Sequence, residues 1–215
     1  MRKSRRYLPI LLLCGACSFA HAATTTIMQS PHEPDLIGAG GILDAHFGLH
    51  NLRSIDNNFD QKWAGLSNVD IAVVAKHSAY TQDIGYMDAS NNYVSLMGNI
   101  TAGSGRSASF NAVNSGSPFP FGLNPSGSPV FSSFMKGNPD NGQDHMVSWL
   151  ITGGEHAGDF VIAWEDLPHL GDRDYNDLVL RVSGVTPVPI PATAWLFISG
   201  LIGVIGIARR KRTRV

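Results

Sequence analysis

Gly158-Asp159-Phe160-Val161-Ile162-Ala163-Trp164-Glu165-Asp166-Leu167-Pro168-His169-Leu170-Gly171-Asp172-Arg173-Asp174-Tyr175-Asn176-Asp177-Leu178-Val179-Leu180-Arg181-Val182 reads as strand, long loop, strand. Two short apolar runs, Phe160 to Trp164 and Leu178 to Val182, flank a stretch of Pro, Gly, Asp and Asn. Runs this short, bounded by turn residues, fit strands better than helices.

The same grammar extends outward. Val69 to Lys76, Tyr93 to Met97, Pro129 to Met135 and Met146 to Thr152 are further β-rich runs between Gly, Asn, Asp, Ser and Pro clusters. No convincing amphipathic helix occurs between Ala23 and Thr186. The expectation is an all-β body, a β-sandwich or jelly roll, and about 150 residues are enough for such a body to stand alone. Thr101 to Pro129 is poor in apolar residues, and Ser115-Gly116-Ser117-Pro118 recurs as Ser126-Gly127-Ser128-Pro129. Two similar turns explain that recurrence without a repeat architecture.

The chemistry concentrates in the loop of the opening stretch. Glu165, Asp166, Asp172, Asp174, Asn176 and Asp177 fall within 13 positions, offset only by Arg173. Crowded carboxylates repel unless water or a cation intervenes. Calcium takes six to eight oxygen ligands, and Asp172-x-Asp174-x-Asn176 has the alternate-position rhythm of calcium loops. The glycine and distal Glu of an EF-hand are missing, so this is not that motif. A bound Ca2+ and a water-solvated turn are the two readings. Asn138, Asp140 and Asp144 lie in a second oxygen-rich turn, a possible second metal loop or an ordinary Asx turn. His46 and His50 stand four apart with no helix expected there, and read as surface histidines.

The ends differ from the middle. Four bases stand in the first six positions and five in the last seven, whereas residues 23–186 hold 17 acids and seven bases, a net −10. So acidic a body repels phosphate backbones, which excludes nucleic acid as a partner. Arg2 to Arg6, the apolar run Leu8 to Ala20 and Ala20-His21-Ala22 form a secretory signal cleaved between Ala22 and Ala23, implying export through the Sec translocon. Both cysteines, Cys14 and Cys17, lie inside it. The exported body therefore has no disulfide, thiolate metal site or cysteine nucleophile. Ala192 to Ala208 is 17 residues without a charge, followed by Arg209-Arg210-Lys211-Arg212. At about 26 Å as a helix this is a short inner-membrane span, and the basic tail puts the body outside.

Two resemblances follow. Val188-Pro189-Ile190-Pro191-Ala192, the apolar run and the basic tail resemble a PEP-CTERM sorting signal, with Ile190 where the family's pattern has Glu. That resemblance implies an exosortase-type processing enzyme as partner, cleavage near the Pro-x-Pro motif, and release to the cell surface or extracellular matrix. Trp164-Glu165-Asp166-Leu167 and Gly171 to Leu178, with Asn138 to Met146 and Val73 to Tyr86, resemble the DUF4114 domain. Trp164 stands there for the usual Phe. This implies a bacterial surface-associated module and strengthens the calcium reading. The expected organisation is a signal peptide (1–22), an unassigned N-terminal part (23–68) and a DUF4114-like β domain (69–184). A Pro-rich linker and sorting motif (185–191), a span (192–208) and a basic tail (209–215) follow.

No nucleophile elbow, zincin motif or phosphate loop occurs, so no catalytic residue is expected. The main expectation is a non-catalytic, calcium-stabilised surface or matrix module. The alternative is a carbohydrate-binding or adhesive module meeting an extracellular polysaccharide or surface partner through exposed rings among Trp63, Tyr80, Tyr86, Tyr93 and Phe119. A glycoside hydrolase using Glu165 with Asp172 ranks third.

Overall fold

The computed structural model describes residues 25–57, 59–111 and 118–188. These form two antiparallel sheets with almost no helix. A six-residue helix, α1 (Ile42–Phe47), precedes β1 (Leu52–Ser54), β2 (Trp63–Ala75), β3 (Gln82–Met87), β4 (Tyr93–Ile100) and β5 (Ser107–Asn111). Then come β6 (Phe121–Pro125), β7 (Phe131–Ser132), β8 (Met146–Ile151), β9 (Phe160–Trp164) and β10 (Leu178–Pro187). One sheet runs β1-β8-β9-β10-β2-β5 and the other β4-β3-β6-β7.

The opening stretch supplies the middle of the larger sheet. Phe160, Ile162 and Trp164 on β9, with Leu178, Leu180 and Val182 on β10, meet Ile84, Ile100, Phe121 and Leu123 of the smaller sheet in one core. Their neighbours Val161, Ala163 and Val179 point the other way. There they join Val147, Trp149 and Ile151 of β8 under Leu36, Ile42 and Leu43. Both faces of β9 are thus covered, which is why its sequence is continuously apolar rather than alternating. Residues 25–51, from the unassigned N-terminal part (23–68), supply the lid over the outer face. Each fully buried aliphatic side chain there contributes roughly 1.5–3 kcal/mol.

The structure corrects several expectations. A short helix and a 3-10 turn (Leu49–Asn51) stand where none was expected, because Ile42 and Leu43 find a sheet to bury against. β3, β5 and β6 were not legible: Ser107–Asn111 is mostly polar, and Phe121–Pro125 carries Gly and Pro. The run Pro129 to Met135 holds only the two-residue β7 before a 3-10 turn at Met135–Gly137. β2 begins at Trp63, upstream of the expected Val69, and pairs with β10 as far as Trp63 against Pro187. That ladder slips between Ser183 and Val185. Gly184, at φ +71°, sits in the bulge, where a Cβ would come 2.0 Å from the Asn68 carbonyl oxygen. Only glycine fits so close an approach.

The signal segment, the Ala22–Ala23 junction, Pro189, Ile190, Pro191, the run 192–208 and the basic tail lie outside the described residues. Val188 is described, and its N–H donates to the Lys62 carbonyl at 2.8 Å. Among the described residues no helix is long and apolar enough to cross a membrane.

Candidate metal centre

The strand register builds the site. Leu178 pairs with Trp164 at the last rung of β9 and β10, so Glu165 and Asp177 leave the sheet side by side. The Asp166 N–H donates to Asp177 Oδ2 at 2.8 Å, closing the mouth of the pair. The chain between then takes left-handed conformations at His169, Leu170, Gly171, Arg173 and Tyr175. Such φ values are costly for side-chain-bearing residues and persist only where the surroundings enforce them.

The surroundings do enforce them. Tyr175 is fully buried in the outer core, and its hydroxyl donates to the Asp144 carbonyl at 2.6 Å. The Met28 N–H donates to the Arg173 carbonyl at 2.9 Å. Asn176 Nδ2 donates to the Pro34 carbonyl at 3.1 Å and to Asp174 Oδ2 at 2.8 Å. Gly171, at φ +38°, packs its backbone on the acidic cluster, where a Cβ would lie 2.7 Å from Glu165 Oε1.

The loop folds back so that its acids meet. Glu165, Asp172 and Asp174 each bring a carboxylate oxygen within 4.8 Å of the others, and so do Glu165, Asp166 and Asp177. Five of the six expected loop ligands therefore converge, all carboxylates. The sixth, Asn176, braces Asp174 and leaves its own Oδ1 buried without a partner. Glu165 is fully buried; its Oε1 accepts the Leu167 N–H at 3.3 Å, its carboxyl lies within hydrogen-bonding reach of Asp177, and its Oε2 has no donor. Asp172 is exposed. Asp166 accepts from Ser78 Oγ and Gln82 Nε2. Lys76, whose ammonium donates to the Ser78 carbonyl at 2.6 Å, adds a positive charge facing Asp166 and Asp177.

This geometry holds protons on the acids. Burial first, then repulsion from Asp177 and Asp172, pushes Glu165 up to about 9. Burial and Asp166 push Asp177 up to about 8, and burial raises Asp174. A divalent cation held among acids so shifted would displace their protons to solvent and replace like-charge repulsion with attraction. Carboxylate oxygens alone, without imidazole or thiolate, suit a hard cation such as Ca2+.

The second oxygen-rich turn behaves differently. Asn138 Oδ1 accepts from the Ser132 N–H at 2.7 Å, and its Nδ2 donates to the carbonyls of Ser132 and Gln143. Asp140 Oδ2 meets His145 Nε2 at 2.8 Å and accepts the His169 N–H at 2.9 Å. Asp144 accepts from Thr25, Asn57 and the Met146 N–H. Neither Asp140 nor Asp144 belongs to either acidic triad. The turn buttresses the loop from behind. Lys76, Ser78, Gln82 and His145 were not named from the sequence. Ser78, Gln82 and His145 stand 20 to 88 positions from their partners in the loop, Lys76 farther still from Asp166 and Asp177, and no local period reports such pairings. His46 and His50 are exposed, and neither joins a triad.

Among the expected ring platforms, Trp63 and Phe119 are buried, and Tyr86 stacks on Phe110 at 5.7 Å between ring centres. Tyr80 is the one of the five that is plainly exposed.

No curated protein matches the chain. A family described as Domain of unknown function (DUF4114) matches residues 83–185, from the second residue of β3 into β10. That span, where the DUF4114 match lies, holds every carboxylate of both triads and the buttressing turn.

Proposed function

We propose that this protein is an exported, non-catalytic module of the cell surface or extracellular matrix, stabilised by calcium at the loop between β9 and β10. The observation that carries the reading is Glu165, a fully buried carboxylate with a donorless oxygen inside a converging acidic cluster. Leaving such an oxygen unpaired is costly, and a bound cation removes the cost. A cysteine-free body also gains from a metal staple.

Export, passage through the inner membrane and processing by an exosortase-type enzyme rest on the sequence of the two ends. The glycan-binding alternative draws less support, since Trp63 and Phe119 are spent in the core. So does hydrolysis, because a fully buried Glu165 offers a sugar no approach.

The test is the thermal stability of the full chain in chelator and in about 10 mM calcium. A site with Kd about 0.1 mM adds about 2.7 kcal/mol, or roughly 5 to 10 °C at this size. The gain should be absent with magnesium and lost in Asp172→Ala or Asp174→Ala. No shift with calcium would sink the metal reading. Normal surface levels after truncation from Pro187 would sink the sorting reading.

A further inference from the structure

The acids of the loop meet as two threes rather than as one five. Glu165, Asp172 and Asp174 form one set, Glu165, Asp166 and Asp177 the other, and Glu165 alone is shared. Calcium binds oxygen at about 2.3–2.6 Å, so two oxygens on one ion are at most about 5 Å apart. Each triad meets that bound by itself.

Charge points the same way. Five carboxylates around one divalent ion would leave three negative charges uncompensated in a largely buried site. Lys76 is placed to offset only the Asp166–Asp177 side. We propose that the loop holds two divalent cations bridged by the Glu165 carboxylate, one with Asp172 and Asp174, the other with Asp166 and Asp177. This rests on the calcium reading above and adds stoichiometry, a bridging residue and an order of filling.

Two observations independent of the acid count support it. Glu165 has no exposed surface, yet its Oε2 has no donor. Gly171 brings bare backbone close to the other oxygen, Oε1, at a place where a Cβ would lie 2.7 Å from it. The triads also differ in a way that ranks them. Asp172 is exposed and opens its triad to solvent, and Asp174 is oriented by Asn176. In the other triad Asp166 already accepts two side-chain donors, and an ammonium stands nearby. The Asp172 triad therefore fills first and more tightly.

The experiment is calorimetric titration of the chelator-stripped full chain with Ca2+, with bound ions counted by native mass spectrometry. Two ions are expected, the second at least tenfold weaker. Asp166→Asn should keep one ion at the tighter affinity, and Asp172→Asn should lose that tighter ion. Lys76→Met should tighten the second ion several-fold, and Glu165→Gln should lose both. If Glu165→Gln does not fold, the Asp166 and Asp172 variants still decide the matter. A single ion in the natural chain, unaffected by Asp166→Asn, overturns the bridge and leaves the calcium-stabilised module standing. Loss of all binding from either single Asp variant also overturns it, because the ions would not be separable. No binding to the natural chain overturns both readings.

Discussion

His145 and Glu165 grip each other twice. The Glu165 N–H donates to the His145 carbonyl at 3.0 Å, and His145 Nδ1 meets the Glu165 carbonyl at 2.8 Å. A carbonyl only accepts, so Nδ1 carries a proton and donates it in this bond. The ring is fully buried and stacked on Phe131 at 3.7 Å, with Nε2 on Asp140. Burial works against the Asp140 carboxylate, yet the bonds from His145 and the His169 N–H hold it below the usual range. His145→Phe keeps the stack but strands the Glu165 carbonyl and weakens the hold on Asp140. It should cost about 2–4 kcal/mol in urea unfolding. A loss under 1 kcal/mol would mean that the second turn does not brace the loop.

Gly171→Ala tests how closely the backbone follows the acids. The added methyl would meet Glu165 Oε1 at 2.7 Å and Leu167 Cδ1 at 2.7 Å, at a φ of +38°. Stability should fall by about 1–3 kcal/mol, and the calcium response should weaken because Glu165 must move. An unchanged melting temperature and calcium affinity would contradict the packing.

The buried acids set a pH dependence of definite sign. Asp60, raised by burial and then by Asp144 to about 8, joins Glu165 at about 9 and Asp177 at about 8. A carboxyl whose pKa is higher folded than unfolded keeps its proton in the folded state alone. Its contribution is complete below the unfolded value near 4 and is lost as pH rises through the folded value. Metal-free protein should therefore melt at progressively lower temperature from pH 5 to pH 9. Calcium displaces those protons, so its stabilising effect should grow over the same range. A calcium shift that shrinks with rising pH would contradict the protonated cluster.

Leu43→Ala removes a fully buried side chain from the lid over the outer face, at a position upstream of the family match. If residues 25–51 are integral to the fold, the cost is about 2–5 kcal/mol. A cost below 1 kcal/mol, read from denaturant midpoints, would make that segment an appendage.

Legibility followed chain separation and burial. β9, β10 and β8 could be read because their apolar runs are buried on both faces and need no periodic pattern. β5 could not, because Ser107–Asn111 pairs along one border of the larger sheet with mostly polar side chains. α1 escaped notice because six residues cannot display a helical period, and its apolar pair makes sense only once the sheet beneath it exists. In the site, the acids of 165–177 were legible as a group because they are close in sequence. Their division into two triads was not, since it depends on where the left-handed residues turn the chain. Asn138, Asp140 and Asp144 resembled ligands in composition. Their individual hydrogen bonds, set by residues as distant as Thr25 and His169, tie them to the framework, while Asp140 Oδ1 is buried without a partner.

β10 is flanked by β9 on one side and β2 on the other, with the second pairing running out to Pro187. The described chain therefore ends, at Val188, directly after an interior strand of the sheet. Tension applied there along the strand axis cannot peel β10 away one rung at a time, as it would an edge strand. It must shear two ladders at once, dragging Leu178, Leu180 and Val182 through the core. A pull along that strand would therefore meet two ladders in shear rather than one edge that unzips.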